Sequence, residues 1–139
     1  MKRLGFLVAL SALLFSVPAF AGVVAHIDIS TQTMKVSVNG SPRYVWPVST
    51  ARAGYRTPTG HYRPIRLERI WHSRIYDNAP MPYAVFFRGG YAIHGTYHVG
   101  NLGRPASHGC VRLNTGNAAT LFSLVSQYGS GNTAIVISY

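Results

Sequence analysis

A mostly-β domain, sandwich or barrel-like, with one helix packed against it is what this sequence predicts. Three features carry the prediction. Short β-branched runs recur along the chain between turn residues. Only one stretch has apolar residues at helical spacing. The last run, Thr133 to Ser138, is an apolar strand. There is no internal repeat, low-complexity tract or linker.

In chain order, Lys2 and Arg3 precede an apolar run from Leu4 to Val17, and Ala19-Phe20-Ala21 sets small residues where a signal peptidase reads. Residues 1–21 are therefore read as a secretory signal peptide and 22–139 as one domain. The apolar run is short of the ~20 residues a membrane span needs. Val24 to Ile29 and Met34 to Val38 form a hairpin across Ser30-Thr31-Gln32-Thr33. Asn39-Gly40 turns the chain again, since both residues tolerate positive φ. Arg43 to Ser49 follows, with Tyr44, Trp46 and Val48 on one face, and Pro47 marks an edge or a bulge. The turn TPTG, residues 57 to 60, leads into strands His61 to Leu67, Ala84 to Phe87 and Tyr91-Ala92-Ile93. Trp71 to Pro82 is irregular and aromatic, either a lid or a packed segment. Asn114 or Thr115 caps the helix, Ala118, Leu121, Phe122 and Val125 form its apolar stripe, and Gly129 ends it.

Losing residues 1–21 removes Lys2 and Arg3, which leaves eleven basic residues, ten of them arginine, against Asp28, Glu68 and Asp77. An exported chain with a formal charge of +8 suits an anionic partner: cell-wall polymer, lipid head group or nucleic acid. The same charge also serves solubility alone.

Cys110 is the single cysteine, in ASHGCVRLN. Exported thiols usually pair, and this one has no partner in its own chain. It is an inert buried thiol, a link to another chain, or a reactive group. His94, His98 and His108 lie near it in sequence. A thiol becomes a nucleophile beside a base, because the thiolate reacts. His94, in AIHG at a strand end, and His108, two residues from Cys110, are both candidate bases. Gly109 permits a sharp turn and close approach of substrate, and the amides there point toward an oxyanion role. Arg112 is placed to hold a carboxylate or favour the thiolate. No carboxylate lies between residues 78 and 139, so a local Cys-His-Asp triad is excluded. A backbone carbonyl or a distant Asp77 must orient the base.

The segment YAIHGTYHVGNLGRPASHGCVRLN resembles the signature of the L,D-transpeptidases, the YkuD-type domain. The match is His94-Gly95, then Ser107-His108-Gly109-Cys110-Val111-Arg112. Ser49-Thr50 through Gly54-Tyr55 to TPTG, and Met81-Pro82-Tyr83, are similar to further family elements. The resemblance implies an L,D-transpeptidase-like β-sandwich with one main helix following the catalytic cysteine motif. It implies that Cys110 is the nucleophile and His94 the general base. The Gly95 carbonyl would orient His94, and the amides of His108, Gly109 and Cys110 would form an oxyanion hole. Ser107, Arg112, Tyr83 and Met81 would support substrate binding. The implied substrate is a peptidoglycan stem peptide, cleaved after its third residue through a thioester. An amine of a second stem, or an envelope protein, resolves it as a 3→3 cross-link or an anchor. No cofactor, metal or nucleic acid is expected, and the protein is expected to act as a monomer. A periplasmic location is preferred to a Gram-positive exterior.

Three other readings follow from the same residues. Water as acceptor makes the protein an L,D-carboxypeptidase. A non-catalytic basic wall-binding module needs no thiol. His94, His98, His108 and Cys110 offer zinc-type ligands, but only the His94–His98 spacing is ligand-like.

Overall fold

The computed structural model describes residues 22–139. The signal-peptide reading falls on residues 1–21 and lies outside the described residues. Strands β1 (Val23–Asp28), β2 (Thr33–Val38) and β3 (Ser41–Pro47) form a meander. Positive φ at Asn39 (51°) and Gly40 (79°) makes its second turn, as the Asn-Gly pair predicts. β3 is an edge strand, which tolerates Pro42 and Pro47 because a proline donates no ladder bond. β9 (Thr133–Ser138) pairs parallel with β1, and β4 (Gly60–Tyr62) pairs antiparallel with β9. The five-stranded order is β3-β2-β1-β9-β4.

The second sheet has order β5-β6-β7-β8, with β5 (Arg66–Glu68), β6 (Ala84–Arg88), β7 (Tyr91–Thr96) and β8 (Val111–Asn114). The single strand expected over His61 to Leu67 is two strands in different sheets. Pro64 is the reason: it breaks the ladder, and Ile65 then donates to the Phe86 carbonyl (2.8 Å), which starts the second pairing. β8 was not among the expected strands.

Helix α1 (Thr115–Tyr128) begins where β8 stops. The Asn114 side chain accepts from the Gly116 amide (2.9 Å), and Gly129 takes φ 87° at the other end. Ala118, Leu121 and Val125 are its buried stripe. They meet Val23, Ala25 and Ile27 of β1, Ile135 and Ile137 of β9, and Ile93, Val111 and Leu113 of β7 and β8 in one core. Burying each large aliphatic side chain stabilises the fold by roughly 1.5–3 kcal/mol.

Candidate active site

β7 and β8 are parallel neighbours, with Ile93 opposite Val111 and His94 opposite Arg112. Side chains alternate along each strand. Ile93, Val111 and Leu113 enter the core. Ala92, His94, Cys110 and Arg112 must then share the other face. The sheet thus makes His94 and Cys110 diagonal neighbours, a relation of about 7–8 Å between Cα atoms that side chains can span. Both line one cavity of about 480 Å³ on that face.

His94 is buried. Its Nδ1 lies 2.7 Å from the Gly95 carbonyl oxygen. A carbonyl only accepts, so Nδ1 carries the proton and Nε2 is left as the free acceptor. Burial lowers the His94 pKa to about 4; the Gly95 bond opposes this, and the Arg112 charge adds to it. Burial raises the Cys110 pKa, while the Ala92 amide and Arg112 pull it down. The resting pair is therefore a neutral imidazole and a neutral thiol. Asp77 is not the orienting group; its charge acts on His108.

Two glycines are demanded by close approach. A Cβ on Gly95 would lie 2.9 Å from Thr115 Cα and 3.1 Å from Pro82 Cγ. Gly109 has φ 137°, and a Cβ there would lie 2.6 Å from Tyr91 Cε1 and 3.0 Å from the Arg56 oxygen. The Gly109 amide donates to Ser107 Oγ (3.0 Å), so it is not free for an oxyanion as the family resemblance implied. Ser107 Oγ in turn donates to the Cys110 carbonyl (2.6 Å). Ser107 is buried and fastens the turn from within.

The link from β7 to β8 is a long loop instead of the usual crossover helix. Residues 48–57 hold it down. Thr50 carbonyl accepts from the amides of Ala106 (3.0 Å) and Ser107 (2.9 Å), and Ser49 exchanges two backbone bonds with Arg112. Thr57 Oγ1 donates to the Gly109 carbonyl (2.9 Å) and accepts from the Ala51 amide (3.0 Å). Gln32 clamps Thr50 through both ends of its side-chain amide. The motif run at 49–60 thus braces the cysteine loop. Gln32 sits in a turn that reads only as a polar hairpin loop, so nothing local in the sequence marks its role.

Trp71 to Pro82 is both things the sequence allowed. Trp71 and Met81 pack with Phe86 as a small second core. Ile75, Tyr76, Asp77 and Ala79 line the cavity beyond them, on a loop closed by the Ser73 amide on the Ala79 carbonyl (2.9 Å). Tyr76 stacks on His108 at 4.0 Å between centroids, and Tyr55 meets the same ring edge-on at 4.7 Å. Burial and the charges of Arg52 and Arg112 lower the His108 pKa, with Asp77 opposing.

Met81, Ser107, His108 and Arg112 line the cavity with His94 and Cys110. Tyr83 does not. It packs edge-on against Phe122 of α1 (5.7 Å), on the core side. The backbone at Tyr83 takes φ 53°, outside the extended range in which its side chain would share a face with that of Met81. His98 also lines the cavity, but among the described residues no three His, Cys, Asp or Glu side chains converge to hold a metal ion.

Residues 22–137 match the L,D-transpeptidase catalytic domain family, YkuD. The chain is 25% identical over 103 residues to a putative L,D-transpeptidase YkuD of Bacillus subtilis, covering 71% of this chain and 58% of that protein. Among solved structures it is similar to an L,D-transpeptidase from Mycobacterium smegmatis, at 26% identity and TM-score 0.73, over 86% of this chain and 59% of that one. An L,D-transpeptidase from Stackebrandtia nassauensis aligns at 25% identity and TM-score 0.75, over 93% and 61%. The L,D-transpeptidase LdtMt1 in complex with imipenem aligns at 25% identity and TM-score 0.72, over 84% and 59%. The chain therefore spans roughly three-fifths of the length of these relatives. With His94 and Gly95 on β7, Cys110 one residue before β8, and this match over nearly all the described residues, the chain belongs to the YkuD family of L,D-transpeptidase catalytic domains.

Proposed function

We propose that this protein is an exported cysteine L,D-transpeptidase that acts on peptidoglycan stem peptides. The observation that carries the reading is the neutral His94, its Nδ1 proton held by Gly95, lining one cavity with the neutral Cys110 thiol. The thiol proton passes to His94 Nε2 as sulfur attacks the carbonyl carbon after the third stem residue. The amides of His108 and Cys110 are left to serve the developing oxyanion, since that of Gly109 is engaged. The C–N bond then breaks, the imidazolium returns the proton to the leaving amine, and D-alanine departs. A thioester remains on Cys110. An acceptor amine gives a proton to His94 and attacks the thioester carbon; the C–S bond breaks, and the released thiolate takes that proton from His94. Acceptors of two kinds suit this chemistry: the amine of a second stem, giving a 3→3 cross-link, and a lysine of an envelope protein.

The test is mass spectrometry of purified protein and products with defined tetrapeptide stems. A thioester adduct on Cys110 and a cross-linked dimer are expected. Cys110→Ala should give neither while remaining folded. Trimmed tripeptide without dimer would instead make the protein an L,D-carboxypeptidase. Exchange of terminal D-alanine by Cys110→Ala would overturn the mechanism. The imipenem complex of a relative supports a second probe: a carbapenem should add its mass to Cys110.

A further inference from the structure

A second cavity, of about 360 Å³, opens beside the catalytic turn, lined by Arg56, Pro58, Thr59, Arg88 and Tyr91. Tyr91 lines both cavities, so the two meet at this residue. Gly109 is wedged between that ring and the Arg56 carbonyl. The second cavity thus adjoins the turn that carries Cys110.

Its chemistry differs from that of the first. Two arginines with exposed side chains line this one small space. Among the described residues no acid pairs with either. Glu68 lies 3.7 Å from Arg66, Asp28 accepts from Ser30 and Thr31, and Asp77 sits in the lid by His108. A pair of flat guanidinium forks matches a carboxylate better than any other common group on a peptide. A two-substrate acyl transfer needs a second place to hold its acceptor, and the first cavity under the lid already holds the donor in the proposed reaction.

Resting on that reading, we infer that Arg56 and Arg88 bind a carboxylate of the acceptor. The subsite holds an amine-bearing stem by its acid groups while the amine passes Tyr91 to the thioester. It selects acceptors that carry free carboxylates and it favours aminolysis over hydrolysis.

The experiment uses purified protein acylated by a tetrapeptide stem, with the thioester confirmed by mass. It is then offered a tripeptide stem acceptor with free carboxylates, or the same stem with them amidated. The readout is the ratio of cross-linked to hydrolysed product as acceptor concentration varies. Arg88→Gln should raise the acceptor concentration for half-capture roughly tenfold, the scale of one lost charge-assisted contact. Arg56→Gln should act in the same direction. Amidation should weaken capture by the parent protein to a similar degree, and Arg88→Gln should add nothing further to it. Arg63→Gln, an exposed arginine outside the cavity, is the charge control. An unchanged ratio in Arg88→Gln, or an equal loss in Arg63→Gln, overturns the subsite while the thioester still forms. Failure of the parent protein to form a thioester overturns the proposed reaction, and the subsite with it.

Discussion

At His94, burial and a hydrogen bond pull in opposite directions, and burial wins. The imidazole stays neutral down to a pKa of about 4, against an ordinary value of 6.5. Two consequences follow. For the proposed catalysis, His94 is already in the accepting form a base needs at neutral pH, so the acid limb of acylation should fall near pH 4. A pH–rate profile of thioester formation checks this; a limb near 6.5 would mean that His94 is solvated. For stability, the folded pKa lies below the unfolded one, so the unfolded chain takes up the proton first. The contribution is complete above about pH 6.5 and is lost as pH falls toward 4, and it amounts to roughly 3 kcal/mol. Denaturant midpoints measured across that window should fall in the parent protein and fall less in His94→Gln. Thr57 shows a different kind of dependence. Thr57→Val keeps the shape but leaves the Gly109 carbonyl and the Ala51 amide without their partner. A cost of about 1–3 kcal/mol is expected, with a loss of acylation because the cysteine turn loosens. Equal stability by thermal unfolding would show that the brace is dispensable.

The elements divide the labour between rigidity and access. β8 runs into α1 without a loop, and Asn114 ends one and caps the other. Cys110 therefore stands one residue before a strand anchored in the core by Val111, Leu113 and the stripe of α1. The lid is held differently. Its tip has Asp77 and Asn78 at positive φ, Ile75 is 79% exposed, and Tyr76 meets the catalytic turn through a single stacked ring. Such a stack contributes about 0.5–1.5 kcal/mol, enough to bias the lid and too little to lock it. Tyr76→Ala should leave the unfolding midpoint almost unchanged and should weaken donor capture several-fold, seen as a raised donor concentration for half-maximal thioester formation. A large loss of stability instead would make the segment part of the core.

Across the whole protein, ten arginines beyond residue 21 face only three carboxylates, and one arginine–acid contact is formed among the described residues. The surface is thus free to meet an anionic polymer. Sedimentation with isolated wall material should fall steeply between low salt and about 0.5 M salt, where exposed charges are screened. It should be unaffected by Cys110→Ala; binding that ignores salt would point to contacts other than charge. The same scale shows how far the sequence alone reaches. Period-two runs and Asn-Gly placed β1, β2 and β3, and caps at Asn114 and Gly129 placed α1, because turns, caps and alternation act over a few residues. The nucleophile and base candidates were legible for the same reason, being short motifs. Pro64, though visible, did not reveal that β4 and β5 part into separate sheets. β8, the Gln32 clamp, the inward turn of Tyr83 and the capture of the Gly109 amide by Ser107 were not legible at all. Each depends on contacts between segments distant in the chain or on the path of the backbone. His94 and His108 were equivalent candidates by composition and spacing. Packing separated them, by burying one against the Gly95 carbonyl and leaving the other between two tyrosines beside the cavity.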